Sequence, residues 1–96
     1  QLARRQDAQL KALAHPRKPV VIIGDNGLTD AVMQEIEIAL DHHELIKIRV
    51  NAEDRAARDG MILEICAATS AAQIQRIGHI ATLFRRNHEA PRIALD

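Results

Sequence analysis

Aromatic side chains are nearly missing from this sequence, since its 96 residues include one Phe and neither Tyr nor Trp. Stacking of bases on an aromatic platform, as in RRM and OB domains, therefore has almost no residues to work with. Phe84 is the only side chain of these three types, and we expect it to lie in the core. If this chain binds nucleic acid, we therefore expect it to contact the phosphate backbone.

Cysteine is equally scarce, and the single Cys66 excludes an internal disulfide framework and a cysteine-based zinc cluster. The longest apolar runs, such as residues 20–23, fall far below the roughly 20 residues that cross a bilayer. No signal segment opens the chain, so we expect a cytoplasmic protein with no membrane partner.

Neither sign of charge is in excess, because 13 basic and 13 acidic side chains give a formal net charge of zero. That balance argues against a nucleic-acid-binding protein, but its distribution is uneven. Residues 1–24 hold five basic and one acidic side chain, residues 25–64 hold four and ten, and residues 65–96 hold four and two. We expect a basic patch if the fold brings both ends together; the alternative is ordinary charge around a neutral domain.

Apolar periodicity predicts one domain of seven elements, in the order α-β-α-β-α-β-β. The first helix ends near His15, because the residue before Pro16 is pushed out of the helical region. Residues 20–23 form a β-branched run that is typical of a strand buried on both faces. A second helix follows with Thr29 as its N-cap, and it ends at His42 and His43.

The second half continues with an alternating strand over residues 45–50, whose second face carries Lys47 and Arg49 and is wet and basic. Asn51 or Asp54 caps a third helix, whose predicted apolar stripe is Ala57, Met61, Ile65 and Ala68. Strands 73–77 and 80–85 are joined at Gly78 and His79 by a two-residue type II′ turn. The polar tail, about 87–96, is expected to dock through Ile93 and Leu95.

Gly24, Asp25, Asn26 and Gly27 form a GxxG segment between the first strand and the second helix. Two glycines allow a sharp turn without a Cβ in the way of a ligand, and a helix N-terminus offers free N–H groups to a phosphate. KH domains use such a loop as a clamp on nucleic-acid backbone. The alternative is a tight turn that binds nothing.

The sequence offers no catalytic or metal-binding set. His42 and His43 are adjacent, so on a helix they point about 100° apart and cannot hold one ion. Cys66 is expected to be a buried structural thiol. The acidic residues of the second helix are expected to form a solvated surface, as the pairs Glu35/Glu37 and Asp41/Glu44. We therefore expect no enzyme, no metal and no cofactor.

Several motifs together resemble the CRM domain (chloroplast RNA splicing and ribosome maturation), in its stand-alone bacterial form, the YhbY family. The resemblance covers the whole chain and rests on residues 10–15, 19, 23–29, 35–36, 39–40, 43–48, 54–55, 75–78 and 83–85. It implies an α/β (α+β sandwich) fold with three helices and a four-stranded mixed sheet, similar to the C-terminal domain of translation initiation factor 3.

The resemblance further implies binding to ribosomal RNA or pre-ribosomal particles of the large subunit, and a role in ribosome maturation. The expected RNA contacts are backbone phosphate contacts from the loop and nearby basic residues, namely Gly24, Asn26, Gly27, Lys11, Arg17, Lys18, Arg85 and Arg86. The alternative function is a protein-interaction module that docks on a ribosomal protein or assembly factor through the acidic second helix.

This chain departs from the family pattern at three places. Asp25 stands where the family usually has a basic residue, and it would repel a phosphate in the loop. Phe84 replaces a common Tyr before the arginine of the last strand. Pro16 and Arg17 follow the first helix where an apolar residue is usual.

Overall fold

Four strands form one mixed sheet in the computed structural model, which describes residues 2–95. The elements are α1 (Arg4–Ala14), β1 (Val21–Ile23), α2 (Asp30–His43), β2 (Leu45–Val50), α3 (Arg55–Thr69), β3 (Ala72–Ile77) and β4 (Ile80–Phe84). The strand order is β1-β2-β4-β3. β1 runs parallel to β2, and the other neighbours are antiparallel. The predicted fold class and element order are confirmed.

The sheet separates two apolar clusters because successive strand residues point to opposite faces. The larger cluster joins β-strand residues such as Ile48 and Leu83 to α2 and α3, through Ile36 and Ile65. The smaller cluster lies on the other face, where α1 covers one half of the sheet. Its members are Leu10, Ala14, Leu45, Ile74, Phe84 and Ile93.

Local signals account for the helix ends. α1 ends at Ala14, directly before His15 and Pro16, where the end was predicted. The predicted reason is wrong, because His15 keeps helical angles (φ −49°, ψ −48°); the helix ends because Pro16 has no N–H to continue its hydrogen bonds. The Thr29 side chain accepts a hydrogen bond from the Val32 N–H (3.1 Å) and caps α2. Asp54, rather than Asn51, caps α3 by accepting from the Ala57 N–H. Within residues 2–95, no helix has both the length and the hydropathy needed to span a membrane.

The hairpin and the tail also follow their predictions. Gly78 has a φ of +59° and His79 does not have a positive φ, which is the pattern of a type II′ turn. Ile93 is buried in the smaller cluster, with Leu95 packed against it. The tail therefore docks on the sheet face that α1 covers.

Two burial predictions are wrong. β1 is buried on one face only: Val21 and Ile23 are buried, whereas Ile22 is 60% exposed, because α1 does not reach this edge strand. In α3, the fully buried residues are Ile62, Ile65 and Thr69, while the predicted Ala57 and Ala68 are exposed. The larger isoleucine side chains bury more apolar area than alanines would, and this sets the rotation of the helix. The predicted Ile65 is buried and the predicted Met61 packs, half-buried, against the larger cluster, so half of the predicted stripe is confirmed.

A candidate nucleic-acid interface

The GxxG segment is a β-turn closed by a hydrogen bond between its first and last residues. The Gly27 N–H donates to the Gly24 carbonyl at 3.1 Å, and Gly27 has a φ of +69°, which favours glycine. A Cβ at Gly24 would meet no atom within 4 Å, so a ligand can approach it. Within residues 2–95, the N–H groups of Asp25 and Asn26 donate to no protein acceptor. The Gly27 N–H is already used within the turn, whereas the N–H groups of Asp25 and Asn26 are free for a ligand.

The charges around the turn oppose an anion. Asp25 is exposed within it, and Asp30 lies in the first turn of α2. Thr29 already satisfies one of the free N–H groups of the helix start. The predicted phosphate contacts of Gly24, Asn26 and Gly27 stay a prediction, and the local charge works against them.

Arg17 and Lys18 lie together where the chain enters β1. Both are exposed, and together with Lys47 they line a groove of about 290 Å³. Arg17 Nη1 donates to the Leu45 carbonyl at 2.7 Å, which fixes its guanidinium at the start of β2. In the described part of the chain neither Arg17 nor Lys18 forms an ion pair. Their positive charge is therefore available to an anionic partner.

Two further cations continue from this groove along β2. Lys47 and Arg49 project from the sheet face that α1 leaves uncovered, and over residues 2–95 neither contacts a carboxylate. Lys47 Nζ donates to the His15 carbonyl at 3.2 Å, and Arg49 Nε donates to Asn51 Oδ1 at 2.8 Å. Lys47 and Arg49 were not among the residues predicted to bind RNA, although the alternating pattern of β2 had predicted a basic face. Arg49 pairs in register with Ile22, two residues before the GxxG turn.

Lys11 lies one helical turn before His15 on α1, and its charge is partly compensated. Its Nζ is 3.1 Å from Asp7 Oδ2, four residues earlier. Exposed pairs at this spacing contribute only about 0.3–0.5 kcal/mol. Lys11 can therefore exchange Asp7 for a phosphate at little cost, and its RNA contact stays a prediction.

Arg85 is partly buried and is held against α2 by two carboxylates. Its guanidinium contacts Glu37 Oε2 at 2.7 Å and Asp41 Oδ1 at 2.8 Å, and it also donates to the Thr69 carbonyl. Burial on its own would lower the pKa of Arg85, but the hydrogen bond and charge of Glu37 and the charge of Asp41 raise it overall. Arg85 thus joins β4 to both α2 and α3.

Arg86 contacts the buried carboxylate of Glu44. Its Nη1 lies 3.4 Å from both Glu44 oxygens and donates to the Ile93 carbonyl at 2.6 Å. Glu44 also accepts from the backbone N–H groups of Asn87, Arg92 and Ile93. Arg85 and Arg86 lie beyond the end of β4, beside the start of β2, whereas the GxxG turn lies near the other end. Their RNA contact stays a prediction that requires them to leave these partners.

The acidic surface expected on α2 is only partly present. Glu37 and Asp41 pair with Arg85, and Glu44 is fully buried. The interpretation of Glu44 as a solvated surface residue is wrong, because it acts as the anchor of the C-terminal tail. Glu35 remains exposed. The acidic docking face of the alternative function is therefore reduced by internal pairing.

No metal site accompanies these charges. Residues 2–95 contain no group of three or more His, Cys, Asp or Glu side chains that could hold a metal ion. Cys66 is partly buried against the larger cluster, and this burial raises the pKa of its thiol. A thiol with a raised pKa is a poor nucleophile at neutral pH. The described site is a surface of cations and backbone amides.

The fold and the basic surface define a small α/β domain of the kind that binds a polyanion. Residues 2–85 match the CRS1 / YhbY (CRM) domain, and the chain belongs to this family. The resemblance inferred from the sequence motifs is confirmed.

Named relatives share most of the chain. A Haemophilus influenzae protein named "RNA-binding protein" is 51% identical over 89 residues, which is 93% of this chain and 90% of the relative. A Pseudomonas aeruginosa protein named "Probable RNA-binding protein" is 40% identical, covering 90% of this chain and 83% of the relative.

A solved structure has the same fold. The solution structure of a hypothetical protein from Staphylococcus aureus, regarded as a candidate RNA-binding protein, superposes with a TM-score of 0.84 at 27% identity. The match covers 100% of both chains.

Proposed function

We propose that this protein binds RNA through its phosphate backbone, without catalysing a reaction. The observation that carries the proposal is the exposed pair Arg17 and Lys18, which has no carboxylate partner in the described residues and joins Lys47 in one groove. Phosphate contacts by arginine and lysine supply most sequence-independent affinity for nucleic acids. The printed names of the relatives as RNA-binding proteins support the same ligand.

The RNA we propose is ribosomal: a precursor of the large subunit, free or within a pre-ribosomal particle, whose maturation the protein assists. This finer assignment is supported by membership of the CRM family and by what resemblance to its stand-alone bacterial form implies. The protein would act by holding RNA in place, since the described residues offer cations and amides and no activated nucleophile.

Replacing Arg17 and Lys18 together by Glu is expected to weaken RNA binding at least about tenfold, because two phosphate contacts become repulsions. Binding is measured at low salt by fluorescence anisotropy with a structured segment of large-subunit ribosomal RNA. The same variant is expected to be lost from large-subunit particles in a sedimentation gradient.

The matched control is the double change of Arg4 and Arg5 to Glu, which alters net charge equally at two exposed positions of α1. Lys18→Glu alone serves as a second variant, because Arg17 also holds the Leu45 carbonyl. Equal affinities for wild type and the Arg17/Lys18 variant would contradict the proposal. So would a wild type that associates with protein-containing particles and not with naked RNA.

A further inference from the structure

Four side chains form a row across the half of the sheet that α1 leaves uncovered. Ile22 of β1 lies opposite Arg49 of β2, Arg49 lies opposite Ile80 of β4, and Ile80 lies opposite Ile77 of β3. Directly opposed residues point to the same face of a sheet. We call this row, together with Lys47, the open sheet face.

The open sheet face exposes large apolar side chains. Ile77 is 68% exposed and Ile22 is 60% exposed, whereas Leu45 and Phe84 on the same side of the sheet are buried under α1 and the tail. The half-buried Ile80 lies beside Ile77, and Arg49 separates this pair from Ile22. The apolar side chains are therefore spread over all four strands, with cations between them.

Every charge on the open sheet face is positive. Lys47 and Arg49 lie two positions apart on β2, which places them about 7 Å apart along the strand. In the part of the chain that the structure describes, neither forms an ion pair. An apolar surface with cations at its centre fits a partner that has both flat apolar faces and regularly spaced anions.

We infer that the open sheet face binds an unpaired RNA segment, with bases lying on the isoleucines and phosphates meeting Lys47 and Arg49. This inference rests on the proposed function. The segment is unpaired because the bases of a duplex are stacked on each other and present no free face. Isoleucines replace the Phe, Tyr or Trp rings of other sheet-face binders, since Phe84, the chain's one side chain of these three types, is 5% exposed.

The position of the open sheet face supports the same ligand. The pair Arg17 and Lys18 lies at the entry to β1, and the GxxG turn follows its last residue. Lys47 lines the groove of that pair, and Arg49 is in register with Ile22 near the turn. One extended strand of RNA can therefore cross from the basic groove over the open sheet face toward the turn.

The direct test replaces Ile77 by Glu and uses a labelled, unstructured RNA of about 10 nucleotides. We expect affinity to fall about tenfold, because a base contact is lost and a carboxylate is placed beside the cations. Leu63→Glu is the control, because Leu63 is 67% exposed on α3 and this substitution adds the same negative charge. It is expected to keep the wild-type affinity for this RNA.

The outcomes separate the two proposals. Loss of binding in Ile77→Glu but not in Leu63→Glu supports the inference, provided that a duplex of the same length is affected less. Equal effects of the two variants, or equal effects on single-stranded and duplex RNA, overturn it. If Arg17→Glu with Lys18→Glu weakens binding while Ile77→Glu does not, the proposed function stands and the open sheet face is not part of the interface. A wild type that binds no RNA overturns both.

A measurement on the unmodified sequence avoids any effect of substitution on folding. Isoleucine methyl signals are followed by NMR while the same RNA is added. Signals of Ile22, Ile77 and Ile80 are expected to shift, whereas that of Ile38, which is 51% exposed on α2, stays in place. Shifts at Ile38 without shifts at Ile22 and Ile77 would overturn the inference.

Discussion

Glu44 shows how one residue at the end of a helix organises a whole segment. It follows α2 with a φ of +60° and a ψ of −42°, a sparsely populated backbone region that costs a non-glycine residue about 1–3 kcal/mol. Its carboxylate is fully buried and accepts backbone N–H groups of Asn87, Arg92 and Ile93 at 2.6–2.9 Å. Charge-assisted hydrogen bonds of this kind contribute about 1.5–3 kcal/mol each, so they outweigh the backbone cost.

These contacts fix the direction in which Glu44 titrates. Burial on its own raises the pKa of Glu44, but the three backbone hydrogen bonds and Arg86 lower it overall. The unfolded chain has the ordinary glutamate pKa of about 4.3, and the folded pKa of Glu44 is lower. Ionised Glu44 therefore stabilises the folded protein fully at pH values above about 4.3. This stabilisation is lost as the pH falls from about 4.3 through the folded pKa.

Glu44→Gln is therefore expected to reduce the free energy of unfolding by about 2–4 kcal/mol at pH 7, because a neutral amide cannot accept from all the donors. Its stability should also depend less on pH below about 4.3 than that of the wild type. Urea unfolding at pH 7 and at pH 3.5 measures both effects. Glu35→Gln, at an exposed position of α2, is the control, and equal unfolding curves for both variants would contradict this role of Glu44.

At the scale of elements, periodicity and turn chemistry predicted nearly everything that depends on neighbouring residues. Proline fixed the end of α1, Thr29 began α2, and the glycine of the hairpin set its turn. The exposed face of β1 escaped prediction because it depends on how far α1 reaches across the sheet. The rotation of α3 was not predicted for a similar reason. A stripe through Met61 and a stripe through Ile62 have the same helical spacing, and only the packing of α3 on the sheet decides between them.

The candidate site divides in the same way. The GxxG turn and the exposure of Arg17 and Lys18 follow from local sequence, and both were predicted. The pairing of Arg85 with α2 joins residues 44 and 48 positions apart, which one sequence does not reveal. Lys47 and Arg49 were recognisable by their alternation in β2, but only the sheet register places them beside exposed isoleucines.

The turn before α2 carries its own prediction, because the exposed Asp25 puts a negative charge beside the free N–H groups of the turn. Asp25→Lys is expected to tighten RNA binding several-fold by replacing a repulsion with an attraction. Anisotropy at low salt measures the change. Glu53→Lys, at another exposed position, controls for net charge. If both variants gain equally, the turn does not touch phosphate.

At the scale of the whole molecule, the zero net charge conceals a division of roles. Several acidic side chains are paired within the protein. Glu37 and Asp41 pair with Arg85, and Glu44 pairs with Arg86 and the tail. The cations that remain without a carboxylate partner within residues 2–95 include Arg17, Lys18, Lys47 and Arg49, and these follow one another from the entry of β1 across the sheet. A neutral protein can thus present a basic surface.

The most direct test of phosphate binding by this surface is the dissociation constant of the wild type for naked ribosomal RNA, measured across a range of salt concentrations. Four contacts to a single strand predict that log K falls against log salt with a slope of about −3, and that the Arg17/Lys18 variant has a shallower slope. Absence of binding at low salt, or an affinity that does not change with salt, would contradict the account.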